Sequence, residues 1–229
     1  YTLEVFEMTR TEVLQTAKPI PFNDEMVRAI LRNDKSVTRR KVKPQPPKEA
    51  DGIYERMDNG NFQMKVSPYE SIYDYEIIPP YQVGDYLYVQ ETWSEDKHNY
   101  LYRADFFDDA LEKLKNIIRW VSLKLMPRKA ARIFLRVTDV RVERLQDIKI
   151  RDIVAEGIYE DCQDCFENYG YGNQCCIGEN DECHLYDDAV TQFENVWNST
   201  IKKSELGKYG WNANPWVWVI EFEKVEATE

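Results

Sequence analysis

The chain has 229 residues, of which 43% are hydrophobic, and a formal net charge of −11. This length allows one domain with a sizeable core, or one domain with an additional segment outside it. The negative charge argues against a protein that wraps duplex DNA, which needs clustered positive charge, but it leaves room for a local basic site. No apolar run is long enough to span a membrane, so we expect no membrane partner.

The start of the chain and its cysteines bear on the compartment. The first residues, Tyr1 to Glu7, lack the basic start and apolar core of a signal peptide. Five cysteines, an odd number, without an export signal indicate a reducing environment. We therefore expect a cytoplasmic protein.

The first predicted regular element is a helix that follows an N-terminal extension over residues 1–18. Apolar residues recur at helical spacing from Met26 to Leu31. Asn23 or Asp24 stands where a helix N-cap is expected, because the side chain of either can accept a hydrogen bond from the first turn. The sequence therefore predicts a short amphipathic helix before the basic stretch that comes next.

The stretch from Lys35 to Arg40 is the most informative in the chain, since three of its six residues are basic in so acidic a protein. Lys35 and Thr38 are spaced so that one helix-like turn would bring amine and hydroxyl together. A lysine whose pKa is lowered by burial can raise the nucleophilicity of a neighbouring hydroxyl. The alternative is a solvated basic turn at the end of the helix.

The remaining elements follow from turn signals and periodicity. Prolines over 44–47 end regular structure, and 48–78 is consistent with an insertion that carries a hairpin, with a turn at 58–61. Alternating apolar residues predict strands over 86–91, 133–142 and 216–222. Helical spacing predicts helices over 109–120, 149–156 and 187–201.

A second group of chemically distinctive residues lies in one polar loop. Its members are Cys162, Cys165, Cys175, Cys176, Cys183 and His184. The first two cysteines have the spacing that grips one side of a tetrahedral Zn²⁺, and a later pair of ligands can close the site. Four protein ligands leave no open position for water, so we expect a structural zinc that orders the loop. The alternative is a loop of free thiols, or of disulfides that form when the cell is lysed.

Five segments carry a family resemblance. They are 21–40, which ends in the basic stretch, Gly84–Trp93, Met126–Val140, Leu145–Ile158 and Asn214–Val219. In this order they resemble the ASCH family, a branch of the PUA-like β-barrels, and their spacing is most similar to the ASCH proteins of phages and prophages. The resemblance runs from about Pro19 to Val225.

The fold that this resemblance implies is of the α+β class. It is a small PUA-like β-barrel with peripheral helices and a cysteine-rich loop insertion. We expect a single domain over residues 19–225, with insertions at about 44–78 and 159–186. If the chain is encoded by a phage, its compartment is the host cytoplasm.

The chemistry that the resemblance implies is amide hydrolysis. Some family members remove the acyl group from N4-acetylcytidine with a lysine, a threonine three residues later and a glutamate at the end of a late helix. These positions match Lys35, Thr38 and Glu156. Thr38 would attack the carbonyl, Lys35 would accept its proton, and Glu156 would orient the lysine or relay the proton to the leaving amine. A plain salt bridge between Lys35 and Glu156 is the alternative.

The predicted ligand is a nucleoside or a single-stranded nucleic acid. Arg39 and Arg40 would contact it, with Arg40 holding an oxyanion or a phosphate, and Trp93 would stack on its base. Core packing is the alternative for Trp93. The leading prediction is a protein that binds a nucleobase-containing ligand and, in its enzymatic form, hydrolyses an N4-acylated cytidine. The alternatives are a non-catalytic reader of RNA or modified DNA, and a phage interaction protein that docks a protein partner through the cysteine loop.

Overall fold

The computed structural model describes residues 9–46, 53–65, 76–97, 99–158 and 186–226, which form a mixed α+β structure. The chain divides into two compact units. The first unit comprises Tyr1–Ser36, Val83–Thr138 and Phe222–Glu229, and the second comprises Val37–Gln82 and Asp139–Glu221. None of the helices in the described ranges is long and apolar enough to cross a membrane.

The regular elements are six helices and ten strands in the described residues, besides short 3-10 turns. The helices are α1 (Arg10–Thr16), α2 (Asp24–Arg32), α3 (Asp108–Leu114), α4 (Ile150–Ala155), α5 (Tyr186–Thr200) and α6 (Leu206–Tyr209). The strands are β1 (Lys18–Pro21), β2 (Val37–Lys41), β3 (Ile53–Arg56), β4 (Phe62–Lys65), β5 (Glu76–Ile77), β6 (Tyr86–Gln90), β7 (Trp93–Asp96), β8 (Asn99–Tyr102), β9 (Phe134–Arg144) and β10 (Trp216–Val225).

The largest sheet has five strands in the order β1-β6-β9-β10-β2. Strand β1 runs parallel to β6, whereas β6 with β9 and β10 with β2 are antiparallel pairs. Strands β1 and β2 stand at the two ends of this order, so in the described residues the sheet is open and is not closed into a barrel. Two smaller sheets have the orders β3-β4-β5 and β7-β8. The three strands predicted from alternating apolar residues are confirmed as β6, β9 and β10, and all three belong to the same sheet.

Helix α2 shows how local sequence sets its boundaries. The Asn23 side chain accepts a hydrogen bond from the Met26 N–H at 2.9 Å, which confirms the predicted cap. Asn33 ends the helix with φ of 65° in the left-handed region, a conformation that asparagine tolerates better than most residues. The helix therefore stops two residues before Lys35.

The basic stretch is extended, so the helix-like turn predicted across Lys35 and Thr38 is wrong. Residues Val37–Lys41 form β2, where Thr38 pairs with Ile220 of β10. The left-handed Asn33 has already ended the helix, and the β-branched Val37 and Thr38 favour an extended backbone. The predicted solvation is also wrong for Lys35, Thr38 and Arg39, which are buried.

The predicted hairpin in the first insertion is confirmed. Strands β3 and β4 pair antiparallel around the predicted turn at 58–61. Gly60 in that turn has φ of 81°, a conformation that glycine adopts without steric cost. The helix predicted over 109–120 ends at Leu114, because α3 contains no buried residue to hold a longer helix against the protein. The insertion predicted over 159–186 lies almost wholly outside the described residues.

Each unit has a hydrophobic core of its own. The core of the first unit contains Val13, Ala17, Tyr88, Trp93, Met126, Ala130, Ala131 and Phe134. The core of the second unit contains Val37, Leu145, Ile148, Ile150, Ile153, Ala189, Phe193, Trp197, Ile201, Tyr209, Val217 and Val219. In the second unit, helices α4 and α5 and the strand pair β2 and β10 all contribute to this core. The domain boundaries predicted from the sequence stay a prediction.

Candidate functional site

Buried polar side chains are the first guide to a site, because lysine, arginine and carboxylate groups are almost never buried unless they are paired. In the described residues the buried polar set is Lys35, Thr38, Arg39, Glu91, Ser94, Asp152 and Glu156. All three positions predicted to be catalytic belong to this set. Such groups are held at a cost in desolvation, which makes them candidates for function.

Thr38 and Arg40 meet on strand β2. Side chains two apart in a strand project from the same face of the sheet. The Thr38 side chain is buried, at 1% exposure, and its Oγ1 accepts a hydrogen bond of 2.9 Å from Arg40 Nη1. The same nitrogen also donates to the Arg39 carbonyl at 3.2 Å. A guanidinium donor stabilises negative charge on the threonine oxygen, which is what a hydroxyl nucleophile needs.

Glu156 lies in the electrostatic field of Arg40. It caps the C-terminus of α4 and is 3% exposed. Burial of the guanidinium lowers the pKa of Arg40, and the negative charge of Glu156 opposes this effect. An arginine remains protonated in proteins despite such a shift. The second unit therefore gathers a buried hydroxyl, a cation that donates to it and a buried carboxylate.

Arg39 is engaged by carboxylates of its own chain. Its Nη2 donates to Asp152 Oδ2 at 2.7 Å, and its Nη1 lies 3.4 Å from Glu156 Oε1. A third carboxylate, that of Glu143, lies 3.4 Å from Nη2. The guanidinium also sits 6.0 Å from the ring centroid of Phe193. The structure thus places Arg39, predicted as a ligand contact, in an internal ion-pair network that holds Glu156.

A second arginine completes this network and was missed by the sequence prediction. Arg141 donates to Glu143 and Glu221, and its Nη2 lies 3.5 Å from Asp152 Oδ2. Two spacings signal these partners. Asp152 lies four residues before Glu156 at the end of α4, which puts both on one side of the helix. Arg141 and Glu143 are two apart in β9 and share a face.

Lys35 belongs to the first unit, whereas Thr38 belongs to the second. It follows α2, and its backbone N–H donates to the Ala29 carbonyl at 3.3 Å. Its side chain is buried, with Nζ 5.6 Å from the ring centroid of Phe22. This aromatic contact accommodates the ammonium and its apolar stem in an otherwise unfavourable place.

Trp93 packs in the core of the first unit. It is 8% exposed and meets Tyr100 edge-on, with ring centroids 5.9 Å apart. Its Nε1 has no hydrogen-bond partner among the described residues. These contacts favour the packing alternative, and stacking of a ligand base on Trp93 stays a prediction.

The first unit contains a further buried ion pair, between Glu91 and Arg132. Arg132 donates two hydrogen bonds of 2.9 Å to the two carboxylate oxygens of Glu91, which is 0% exposed. It also donates to both oxygens of Asp105 and lies 3.9 Å from the ring centroid of Tyr102. Burial raises the pKa of Glu91, and the hydrogen bonds from Arg132 oppose the rise. This pair joins two of the segments that carry the family resemblance.

The predicted zinc ligands lie outside the described residues. They are Cys162, Cys165, Cys175, Cys176, Cys183 and His184. Within the described ranges, no group of three or more histidine, cysteine, aspartate or glutamate side chains is arranged to hold a metal ion. The structural zinc therefore stays a prediction.

Replacing Arg39 by methionine is expected to lower the free energy of unfolding by about 3–5 kcal/mol, because Asp152 and Glu156 would be left buried without their cation. Chemical denaturation followed by tryptophan fluorescence measures the change. Arg151→Met is the matched control. Arg151 is exposed and lies 4.0 Å from Asp152 Oδ1, so its loss is expected to change stability by less than about 1 kcal/mol. Equal losses in the two variants would contradict the network.

Comparison with known proteins does not help to interpret this site, so the interpretation rests on the geometry of the site. No protein-family model, curated protein or solved structure matches the chain significantly.

Proposed function

We propose that the protein binds a nucleobase-containing ligand at Thr38, Arg40 and Glu156 and hydrolyses an N4-acylated cytidine there. The observation that carries this proposal is the buried Thr38 hydroxyl, whose oxygen accepts a 2.9 Å hydrogen bond from Arg40. A hydroxyl placed in this way is poised for attack on a carbonyl, since the guanidinium offsets the charge that develops on oxygen.

The resemblance to the ASCH family supports the same function. It matches Lys35, Thr38 and Glu156 to the family's catalytic lysine, threonine and glutamate, and all three are buried in this chain. Lysine and glutamate side chains are usually exposed, so their burial here supports a functional role for both residues. We extend the proposal to the fold, in which the five-stranded sheet and its helices correspond to a PUA-like barrel. Its support is that β6, β9 and β10, which carry three of the resembling segments, are consecutive in one sheet.

The proposed reaction has two covalent steps. In the first, which requires Lys35 in its neutral amine form, Thr38 Oγ1 bonds to the acyl carbon, its proton passes to Lys35 Nζ, and the bond from the acyl carbon to N4 breaks as Glu156 relays that proton to the leaving amine. In the second, water attacks the threonine ester, acetate leaves, and the Thr38 hydroxyl regains its proton. The overall change is N4-acetylcytidine plus water to cytidine, acetate and a proton.

Each residue of the site has its own role in the proposed reaction. Lys35 stands three residues before Thr38, which limits the separation of their Cα atoms to about 10 Å. Arg40 holds the negative charge on oxygen. Arg39 does not touch the ligand in this account, because its guanidinium is occupied by Asp152 and Glu156. Its part is to hold the Glu156 carboxylate in place.

Hydrolysis is tested with the purified protein and N4-acetylcytidine. The expected result is release of cytidine and acetate in equal amounts, in large molar excess over the protein, measured by chromatography. Protein unfolded before the substrate is added serves as the control. Binding of N4-acetylcytidine with no release of cytidine would exclude the enzyme and leave the non-catalytic reader, which uses the same side chains.

A further inference from the structure

Four lysines in the second unit gather around a tyrosine and a carboxylate, those of Tyr209 and Glu205. The Nζ atoms of Lys41, Lys43 and Lys208 lie 4.5, 5.4 and 5.3 Å from the ring centroid of Tyr209. Lys41 is the last residue of β2, Lys43 follows it, and Lys208 is on α6. Lys202 is the fourth member, because its charge lowers the pKa of Glu205, the carboxylate that pairs with Lys41. We refer to these four residues as the lysine cluster.

The lysine cluster carries more positive charge than its one carboxylate balances. Lys41 Nζ lies 2.8 Å from Glu205 Oε2. The hydrogen bond from Lys41 lowers the pKa of Glu205, and the charges of Lys41, Lys43 and Lys202 lower it further. Glu205 is therefore a carboxylate in a field of ammonium groups. Four ammonium groups against one carboxylate leave a local charge of opposite sign to the net −11 of the chain.

The geometry of the lysine cluster makes it receptive to an anion. The three ammonium groups around Tyr209 lie within about 11 Å of one another, close to the Debye length of about 10 Å in 0.1 M salt, so they repel one another. Lys43, Lys202 and Lys208 are exposed, whereas the Tyr209 ring is buried. An exposed set of charges spread over three segments of the chain suits an extended polyanion better than a small enclosed ligand. Lysine binds phosphate as a point charge, with little demand on direction.

We propose that the lysine cluster binds backbone phosphates of a single-stranded nucleic acid whose base enters the candidate site. This inference rests on the proposed function and narrows its substrate from a free nucleoside to a nucleotide within a strand. Lys41 follows Thr38 by three residues in β2, a span of roughly 10 Å, and the two side chains project from opposite faces of the strand. Because β2 is an outer strand of the described sheet, a single strand of nucleic acid that passes around this edge can reach both. The partner is single-stranded because the reacting N4 of cytosine is paired in a duplex.

The test is binding of a single-stranded RNA of about 12 nucleotides by the Lys43→Gln/Lys208→Gln variant, followed by fluorescence anisotropy over a salt series. We expect affinity at about 50 mM salt to fall about tenfold, and the slope of log K against log salt to become shallower by about 1.4, since each lost phosphate contact removes about 0.7. The matched control is Lys113→Gln/Lys124→Gln, which removes the same charge from exposed lysines of the first unit. This control is expected to keep the wild-type slope.

The outcomes separate this inference from the proposed function. The double variant is expected to hydrolyse free N4-acetylcytidine at the wild-type rate. If the wild-type protein turns over the free nucleoside but does not bind the RNA, the phosphate site is overturned and hydrolysis is not. Equal salt slopes in the two double variants would have the same meaning. The expected loss of slope without turnover of any acylated cytidine would uphold the phosphate site and overturn hydrolysis. Tighter binding of poly-L-glutamate than of RNA would assign the lysine cluster to an acidic protein and overturn the inference.

Discussion

The Thr38→Ala variant is expected to hydrolyse N4-acetylcytidine at least about 10³-fold more slowly than the wild type in kcat. The substitution removes the side-chain oxygen that the proposed mechanism uses as nucleophile in the first step, together with its hydrogen bond from Arg40. Stability is expected to fall by only about 1 kcal/mol, the usual cost of one buried hydrogen bond. Rates are measured with saturating substrate, and folding is checked by near-ultraviolet circular dichroism.

Thr38→Ser is the matched control, because it keeps the oxygen and removes only a methyl group. We expect it to retain kcat within about tenfold of the wild type. A Thr38→Ala protein that is folded and still hydrolyses the substrate at the wild-type rate would remove Thr38 from the chemistry. Loss of activity in both variants would instead assign Thr38 a packing role.

The Arg132→Ala variant is expected to lose about 3–5 kcal/mol in free energy of unfolding, since the fully buried Glu91 carboxylate would lose its bidentate partner. The Arg136→Ala variant is the matched control. Arg136 lies on β9 and pairs with Glu223 in an exposed position, so its removal is expected to change stability by less than about 1 kcal/mol. Denaturant unfolding measures both. A loss at Arg132 no larger than that at Arg136 would contradict a buried ion pair.

The effect of Arg132→Ala is also expected to depend on pH. Burial raises the pKa of Glu91 in the folded protein above its value in the unfolded chain, and removing the hydrogen bonds from Arg132 raises it further. A group of this kind favours the folded state below its unfolded pKa, and this contribution is lost as pH rises through the folded pKa. The loss of stability is therefore expected to be larger at about pH 7 than at about pH 4, near the ordinary pKa of glutamate. Equal losses at both pH values would contradict this assignment to Glu91.

Several elements of the fold were predictable because their signals are local. The cap of α2 at Asn23 and the hairpin turn at Gly60 depend on side chains and backbone conformations within a few residues. The alternation in β6, β9 and β10 was readable since each strand buries one face or both. The order of the strands was not, because pairing of β1 with β6 joins residues about 70 apart and no local pattern specifies it.

The candidate site was predictable in its positions but not in its contacts. The family resemblance pointed to Thr38 and Glu156, and both are buried polar residues. The partners of Arg39 could not be read in the same way, since Asp152 lies 113 residues away in the chain. The helix-like turn at Lys35 failed because one left-handed residue, Asn33, ends the helix first. Spacing alone does not reveal such a stop, as asparagine is also common inside turns and caps.

The most direct test of the central claim is to look for the acyl group on Thr38 during turnover. Wild-type protein mixed with N4-acetylcytidine is quenched in acid within the first turnovers, digested and analysed by mass spectrometry. The proposed mechanism predicts one acetyl group on the peptide that contains Thr38, located on the threonine oxygen and absent from the Thr38→Ala protein. Release of cytidine with the acetyl group on the Lys35 amine, or with no acetylated residue in either protein, would contradict it.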